Sequence, residues 1–214
     1  MKIKLVLVFA IVWVSQVLTH AQGTITVNFT AAPGQRNVMD DGSVPLADGN
    51  YVKLGCFNSG FDIPANAGNL SALSAAWHEF GFTTIQTIFG QAGRFAGTLS
   101  GNDPLFDGQR MWLWIAKTSG DTAPAPDFSN VMAYGVYSSA SPSWLFPFNG
   151  TLPPGNTASV NSSEVDQAAF GSMDVNHLFL AIPEPSTYGL IVIGLGQFML
   201  FRFHRRPGTR KAGV

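Results

Sequence analysis

RMWLWIAK, at residues 110–117, carries the strongest β-strand pattern in the chain. Its side chains alternate between two faces, one bearing Met111, Leu113 and Ile115 and the other bearing Trp112 and Trp114. A period of two is typical of a β-strand, and aromatic and β-branched side chains are good strand formers. We therefore predict a strand at this position.

Further short strands, separated by turn signals, lie on both sides of this segment. They are predicted at Gly23–Thr30, Tyr51–Phe57, Val131–Tyr137, Ser143–Phe148 and His177–Ala181. Turn-forming residues separate them, as in DDG at 40–42 and DGN at 48–50. The Pro-rich stretch 122–127 favours pairing of the strand that follows it with residues 110–117. The pattern predicts a mainly β fold, either an antiparallel β-sandwich or an open barrel.

One segment departs from the strand pattern. Residues Asn69–Phe80 place apolar side chains at helical spacing, namely Leu70, Leu73, Ala76, Trp77 and Phe80. Asn69 is a suitable N-cap, because its side-chain oxygen accepts a hydrogen bond from the first turn of a helix. We predict one short helix packed on or beside the sheet. The sequence shows no repeat of solenoid length.

The composition argues against two broad classes of protein. The 214-residue chain has 46% hydrophobic and 12% charged residues, which is too apolar for intrinsic disorder, and its net charge of −1 argues against a nucleic-acid partner. Residues 22–182 hold five basic and twelve acidic side chains, a net charge of −7, whereas both ends of the chain are basic. This layout is typical of an exported protein whose ends interact with a membrane.

The first 21 residues resemble a secretory signal peptide in their layout. A basic start (MKIK) precedes the apolar run Leu5–Val14, and the small-residue site THA ends at Ala21. We predict a signal peptide helix over 1–21 that is handled by the Sec export machinery and cleaved between Ala21 and Gln22. The alternatives are an uncleaved anchor and a buried N-terminal helix, but the run is short for a membrane span.

A second apolar run lies close to the C-terminus. Tyr188–Phe201 contains fourteen residues without a charge, and an Arg cluster follows it at Arg202, Arg205 and Arg206. At about 1.5 Å per residue the run covers roughly 21 Å, and the uncharged residues just before it bring the total to a marginal membrane span. The run lacks the polar face of an amphipathic core helix. We predict a single transmembrane helix with the basic tail on the cytoplasmic side.

The residues that precede this run complete a tripartite pattern. Pro183-Glu184-Pro185-Ser186, the Gly-bearing apolar run and the Arg cluster together resemble the PEP-CTERM sorting signal of exported proteins in certain Gram-negative bacteria. The resemblance implies that Pro183, Glu184 and Pro185 are recognised by exosortase, a membrane protease-transpeptidase. It also implies that the apolar helix holds the precursor in the membrane and that the basic tail stops export. The resemblance covers about residues 182–207.

Together these patterns divide the chain into three parts. Residues 1–21 are predicted to be the signal peptide, residues 22–182 an exported β-rich domain, and residues 183–214 the sorting signal. The precursor is expected to be exported across the inner membrane and anchored there. The processed protein is then expected at the cell surface or outside the cell, as the resemblance implies.

Few side chains of the exported region suggest catalysis. Cys56 is the only cysteine of the chain, so an internal disulfide is impossible, and its strand context predicts a buried small hydrophobe. His78 and His177 lack the spacing and the further ligands of a zinc site. Glu79 and Glu164 are the only glutamates of this region, and no Gly-x-Ser-x-Gly motif is present. We predict no enzymatic activity, no cofactor and no metal.

The aspartates leave one question open. Two groups lie in turn-like sequence, one formed by Asp40, Asp41 and Asp48 and the other by Asp103 and Asp107. Neither matches a calcium loop with its bidentate glutamate, and turn formation explains both groups. A weak calcium site at either group stays open as an alternative.

The aromatic residues suggest one binding function. Trp112 and Trp114 share a strand face and are candidates for stacking on sugar rings, although aromatic side chains also serve as core. Our leading hypothesis is a non-enzymatic envelope or extracellular-matrix protein associated with exopolysaccharide, as the sorting signal implies. The alternatives are a secreted carbohydrate-binding module and a secreted carbohydrate-active enzyme.

Overall fold

A computed structural model describes residues 23–120, 122–124, 128–149 and 156–183. Within these ranges the fold is mainly β, with antiparallel sheets and one short α-helix, as the sequence predicts. Several predictions lie outside the described residues: the signal peptide with its cleavage point at Ala21 and Gln22, the transmembrane helix, and the residues Glu184, Pro185, Ser186, Arg202, Arg205 and Arg206.

Thirteen strands and one α-helix make up the regular structure of the described ranges. In chain order they are β1 (Ile25–Thr30), β2 (Asn37–Met39), β3 (Tyr51–Phe57), α1 (Leu70–Ala76), β4 (Trp77–Thr84), β5 (Gln86–Ile88), β6 (Gln91–Arg94), β7 (Ala96–Gly101), β8 (Trp112–Thr118), β9 (Val131–Ser138), β10 (Thr157–Asn161), β11 (Gln167–Phe170), β12 (Ser172–Met173) and β13 (His177–Phe179). Four single-turn 3-10 helices connect them, at Pro64–Asn66, Pro104–Phe106, Pro142–Trp144 and Ser162–Glu164.

The largest sheet has five strands in the order β11-β9-β8-β3-β4, and every neighbouring pair is antiparallel. Smaller sheets have the orders β10-β1-β7, β12-β13-β2 and β5-β6. Two pairs, β1 with β10 and β2 with β13, are parallel. The chain makes a long excursion between the members of each parallel pair, because a parallel neighbour requires a crossover rather than a tight turn.

Strand β8 is buried on both faces and separates two cores. Leu113 and Ile115 belong to the first core, which also contains Phe29 of β1. Trp114 belongs to the second core on the other face, together with Leu73 of α1. The alternation predicted for residues 110–117 is therefore confirmed, and the aromatic face packs against the protein's own helix.

The predicted helix is shorter than the sequence suggests. Its cap is confirmed, because the Asn69 side chain accepts a hydrogen bond from Ala72 N at 3.1 Å. The extension to Phe80 is wrong: α1 ends at Ala76, and the following residues form β4, which pairs antiparallel with β3. Apolar spacing permits a helix there, but the backbone hydrogen bonds of a sheet edge provide a stronger alternative.

The predicted strand at Ser143–Phe148 is wrong. Pro142–Trp144 form a 3-10 turn, and only Leu145 makes an isolated bridge, to Arg110. Trp144 and Phe146 exchange backbone hydrogen bonds with residues 108–111, but Pro142 and Pro147 on either side have no N–H to donate, so the pairing does not extend into a strand.

Candidate functional site

A polar cleft lies where the β5–β6 hairpin meets β2 and the start of β13. Its volume is about 490 Å³, which is within the usual range for small-ligand sites. The polar side chains that line it are Gln35, Asn37, Gln91, Arg94, Asn176 and His177. Gly93, with a φ of +73°, lets β6 approach β2, because a Cβ at this position would collide with the carbonyl oxygen of Val38. The cleft therefore depends on the close packing of two short strands.

Arg94 lies in the wall of this cleft and is only 8% exposed. Its Nη1 donates to the carbonyl oxygens of Ala32 and Gln35, and its Nη2 donates to Oε1 of Gln91 at 2.7 Å. Its Nε is buried and has no hydrogen-bond partner among the described residues. Burial lowers the pKa of the Arg94 guanidinium from its ordinary value, because the charged form is desolvated.

His177 lies at the same cleft and is held by a turn. Its Nδ1 lies 3.0 Å from both carboxylate oxygens of Asp174, whose Oδ1 also accepts from the backbone N–H groups of Asn176 and His177. The His177 contact, followed by these backbone hydrogen bonds, lowers the pKa of the Asp174 carboxyl. The imidazole is thereby oriented by a carboxylate, although Asp174 does not itself line the cleft.

The proposed stacking residues lie in the second core. Trp114 is 1% exposed, and its ring stacks with Phe128 at a centroid distance of 5.3 Å and with Phe57 at 6.2 Å. Trp112 is partly buried and meets the same Phe57 edge-on at 5.9 Å. Contact of a sugar ring with Trp114 would therefore require displacement of the protein's own aromatic rings.

The first group of aspartates is occupied by a lysine and by turn hydrogen bonds. Lys117 Nζ lies 3.0 Å from Oδ2 of Asp40 and 3.2 Å from Oδ1 of Asp41. Asp48 does not share this lysine; its Oδ1 accepts a hydrogen bond from the Thr87 hydroxyl at 3.1 Å. An ammonium group thus takes the position that a cation would occupy at Asp40 and Asp41.

The second group of aspartates accepts hydrogen bonds from the backbone, one local and one distant in sequence. Asp103 Oδ1 accepts from Leu105 N at 2.9 Å at the start of a 3-10 helix, and Asp107 Oδ1 accepts from Asn149 N at 2.9 Å. No cluster of three or more His, Cys, Asp or Glu side chains suited to a metal ion occurs in the described part of the chain.

Other side chains considered for catalysis have structural contacts. Cys56 is 2% exposed, and burial, followed by the charge of Asp103, raises the pKa of its thiol to about 11, so the nucleophilic thiolate is disfavoured. His78 is on β4 rather than on a helix and contacts Oδ1 of Asn58 at 2.6 Å.

The two glutamates of residues 22–182 also have structural contacts. Glu79 forms a 2.7 Å ion pair with Lys53. Glu164 accepts hydrogen bonds from Trp144 Nε1 at 2.9 Å and from Asn161 Nδ2 at 2.8 Å. Each carboxylate therefore has its own partner, and neither lines the polar cleft.

The described residues end at the first residue of the predicted sorting motif. The last backbone pairing joins Ala181 to Tyr134 on β9, with reciprocal N–O distances of 3.0 Å, and Pro183 follows two residues later. Of the motif, only Pro183 is described. Among the described residues, none of the helices has the length and apolar character needed to cross a membrane.

A scan against protein-family models, a search of curated proteins and a search of solved structures each found no match to this chain. The description of the polar cleft therefore rests on the structure of this chain alone. Sequence reasoning did not select Arg94, Asn37 or Gln91, because they come from separate short strands with no shared motif. The one local feature of the sequence that could have indicated the cleft is a single arginine in an otherwise uncharged hairpin, GQAGR at 90–94.

Proposed function

We propose that the chain is a non-enzymatic exported envelope or extracellular-matrix protein that associates with exopolysaccharide and is sorted by an exosortase-type enzyme. The observation that carries this proposal is the ordered series at the C-terminus: the motif Pro183-Glu184-Pro185-Ser186, the apolar run, and Arg202, Arg205 and Arg206. The basic, apolar and small-residue regions before Gln22 supply the matching export signal.

The position of the motif relative to the fold supports processing. The last described pairing partner is Ala181, and Ile182 is 58% exposed. A cut at Pro183–Pro185 would therefore remove none of the strand pairings in the described domain. A sorting enzyme at the membrane would then cut after the last strand pairing of the described domain.

We further propose that the exported domain is a β-sandwich rather than an open barrel. The first core contains buried residues of β1, in a three-stranded sheet, and of β3 and β8, in the five-stranded sheet. Such a shared core is expected where two sheets pack face to face. The three-stranded sheet leaves edges at β10 and β7, whereas a barrel would close them.

Two described clefts favour a binding role over hydrolysis. The second cleft, of about 360 Å³, lies between the 142–147 segment and β10 and is lined by residues such as Ser143, Phe146 and Ser159. Neither cleft is lined by an aspartate or a glutamate. Glycoside hydrolysis usually needs two carboxyl groups facing one sugar. A carbohydrate-binding module is therefore the second candidate, and the polar cleft is the feature that favours it.

The intact mass of the native protein recovered from its own host, with the cell fraction recorded, tests the sorting proposal. We expect a polypeptide that begins at Gln22 and ends within Pro183–Pro185, recovered from the cell surface or the medium. A triple replacement of Pro183, Glu184 and Pro185 by alanine should keep the C-terminus at Val214 and hold the protein in the membrane fraction.

A matched control separates recognition from general damage to the tail. Thr187→Ala lies just outside the motif and should be processed like the natural chain. Natural protein that ends at Val214 and stays in the membrane fraction would contradict the proposal and indicate a plain tail-anchored envelope protein.

A further inference from the structure

The charge of Arg94 is not compensated within the described domain. Lys117 pairs with two aspartates and Lys53 with a glutamate, whereas every described partner of Arg94 is a neutral oxygen. Arg36 and Arg110 also donate to neutral backbone oxygens, but both are less buried than Arg94. A buried ionic group usually has an opposite charge nearby, because desolvation is costly without one. Arg94 is the most buried basic side chain described, and it also lines the polar cleft.

The two edges of the Arg94 guanidinium have different roles. Nη1 holds the backbone of the 32–35 turn through the carbonyl oxygens of Ala32 and Gln35. The opposite edge carries Nε, which has no described partner, and Nη2, which donates only to Gln91. The N–H groups of Nε and Nη2 point in the same direction, and such a pair matches the two oxygens of a carboxylate.

Gln91 occupies part of this edge with a neutral oxygen. It is exposed, it lies at the start of β6, and its Oε1 is 2.7 Å from Nη2. A hydrogen bond to a charged oxygen is stronger than one to an amide oxygen. A carboxylate that displaced the Gln91 side chain would therefore improve the bond at Nη2 and satisfy Nε as well.

We propose that this cleft binds the carboxylate of an acidic sugar, such as a uronic acid unit of a polysaccharide, on the Nε/Nη2 edge of Arg94. The amide side chains of Asn37 and Asn176 line the same cleft and suit the hydroxyl groups of a sugar ring. The choice of a sugar over another carboxylate rests on the proposed association with exopolysaccharide, whereas the anion site rests on Arg94 itself.

Charges around the site keep binding weak. Residues 22–182 have a net charge of −7, and Asp174 contacts His177, which lines the cleft. Both features repel an approaching anion, and the repulsion by the whole domain is screened by salt. We expect a dissociation constant on the order of 1 mM for a single uronic acid unit.

The test titrates the full-length chain with D-glucuronate by isothermal calorimetry and compares glucose, acetate, phosphate and a polyglutamate peptide. We expect saturable glucuronate binding, no binding of glucose, and acetate and phosphate weaker by about tenfold. Gln91→Glu places a carboxylate from the protein on Arg94, so it should weaken glucuronate binding at least about tenfold and raise the melting temperature. Gln167→Glu, the same change at an exposed strand position in another sheet, should do neither.

Each alternative outcome overturns the proposal. Absence of glucuronate binding, or unchanged binding by the Gln91→Glu variant, would show that Arg94 serves only to hold the 32–35 turn. Equal affinity for phosphate, or tighter binding of polyglutamate, would overturn the acidic-sugar assignment. Because the mass measurement reports sorting and the titration reports the cleft, failure of one proposal is distinguishable from failure of the other.

Discussion

Phe89 has an unfavourable conformation and an exposed apolar side chain. It forms the two-residue loop of the β5–β6 hairpin with Gly90, and both residues have positive φ, 48° and 74°. This combination is typical of a type I′ turn, for which Asn-Gly is the preferred pair. Phe89 is also 91% exposed, so its ring gains little from packing.

Replacing Phe89 with asparagine should stabilise the protein. Asparagine tolerates positive φ better than phenylalanine, so Phe89→Asn is expected to increase the free energy of unfolding by about 1 kcal/mol. The melting temperature should rise by about 3 °C, measured by circular dichroism. Phe89→Ala removes the same ring but keeps the unfavourable conformation, so it should give no such gain. Equal melting temperatures for the asparagine and alanine variants would contradict this explanation.

Single residues differ in how far their roles could be predicted from sequence. Burial of Cys56 follows from the alternation around it, and the cap at Asn69 follows from residue type. The role of Arg94 depends on oxygens of the 32–35 turn, about sixty positions earlier in the chain. Such a contact has no local pattern, because only the tertiary structure brings the two segments together.

At the scale of elements, β3 and β4 meet at an irregular position. Their register shifts between Leu54 and Gly55, and the Trp77 ring lies directly over Gly55. A Cβ on Gly55 would lie 2.6 Å from Cζ2 of Trp77 and closer still to the carbonyl oxygen of His78. The absence of a side chain at Gly55 is therefore a packing requirement of this strand pair.

Gly55→Ala should destabilise the domain markedly. The added methyl group must push aside a backbone carbonyl and a core indole, at a cost of about 3 kcal/mol in the free energy of unfolding. Denaturant unfolding followed by tryptophan fluorescence measures the change. Gly68→Ala is the matched control, because a Cβ there meets no atom within 4 Å and it should leave stability within about 0.5 kcal/mol. A tolerated Gly55→Ala substitution would show that β3 and β4 pack more loosely than described.

Elements with a strong alternating pattern were predictable, and short or polar ones were not. The predicted strand at Tyr51–Phe57 coincides with β3, and that at Val131–Tyr137 matches β9 to within one residue. β4 was missed because its apolar residues also fit helical spacing. β5, β6 and β12 have two to four residues each and no apolar face, so only their sheet partners define them.

At the scale of the whole molecule, a small ionic cluster joins a loop to the central sheet. Asp40 lies in the turn after β2, and Lys117 lies on β8. Burial raises the pKa of the Asp40 carboxyl, but hydrogen bonds from Val44 N, Lys117 Nζ and Gly42 N outweigh it, so the pKa lies below its ordinary value of 3.8. The ionised carboxylate therefore stabilises the folded state at neutral pH, and this contribution is lost as the pH falls below about 4.

Asp40→Asn should reduce this acid dependence. Asparagine keeps an oxygen for the backbone N–H groups but removes the charge that Lys117 faces. We expect a loss of about 1 kcal/mol in the free energy of unfolding at pH 7 and almost none at pH 2. Urea unfolding at a series of pH values measures the difference. A constant difference across this range would contradict the assigned role of the Asp40 charge.

The overall β class followed from the sequence, whereas the arrangement of the sheets did not. The alternation at 110–117 correctly predicted which side chains of β8 face each of the two cores. The parallel pairs β1–β10 and β2–β13 could not be predicted, because nothing in either partner encodes the direction of a distant neighbour. The polar cleft depends on one of these pairs, β2–β13, so the cleft could not be predicted from the sequence either.

The parallel pairs also determine when folding can finish. β1 and β2 emerge early from the ribosome, but their partners β10 and β13 are synthesised more than a hundred residues later. Pairing between such distant segments is slow, because the entropy of closing a long loop is lost before the contacts between the strands form. The nascent chain therefore cannot complete its sheets until residue 179 is available. For the proposed export, such late pairing would keep the chain unfolded enough to pass through a narrow translocation pore until nearly all of the described domain has been synthesised.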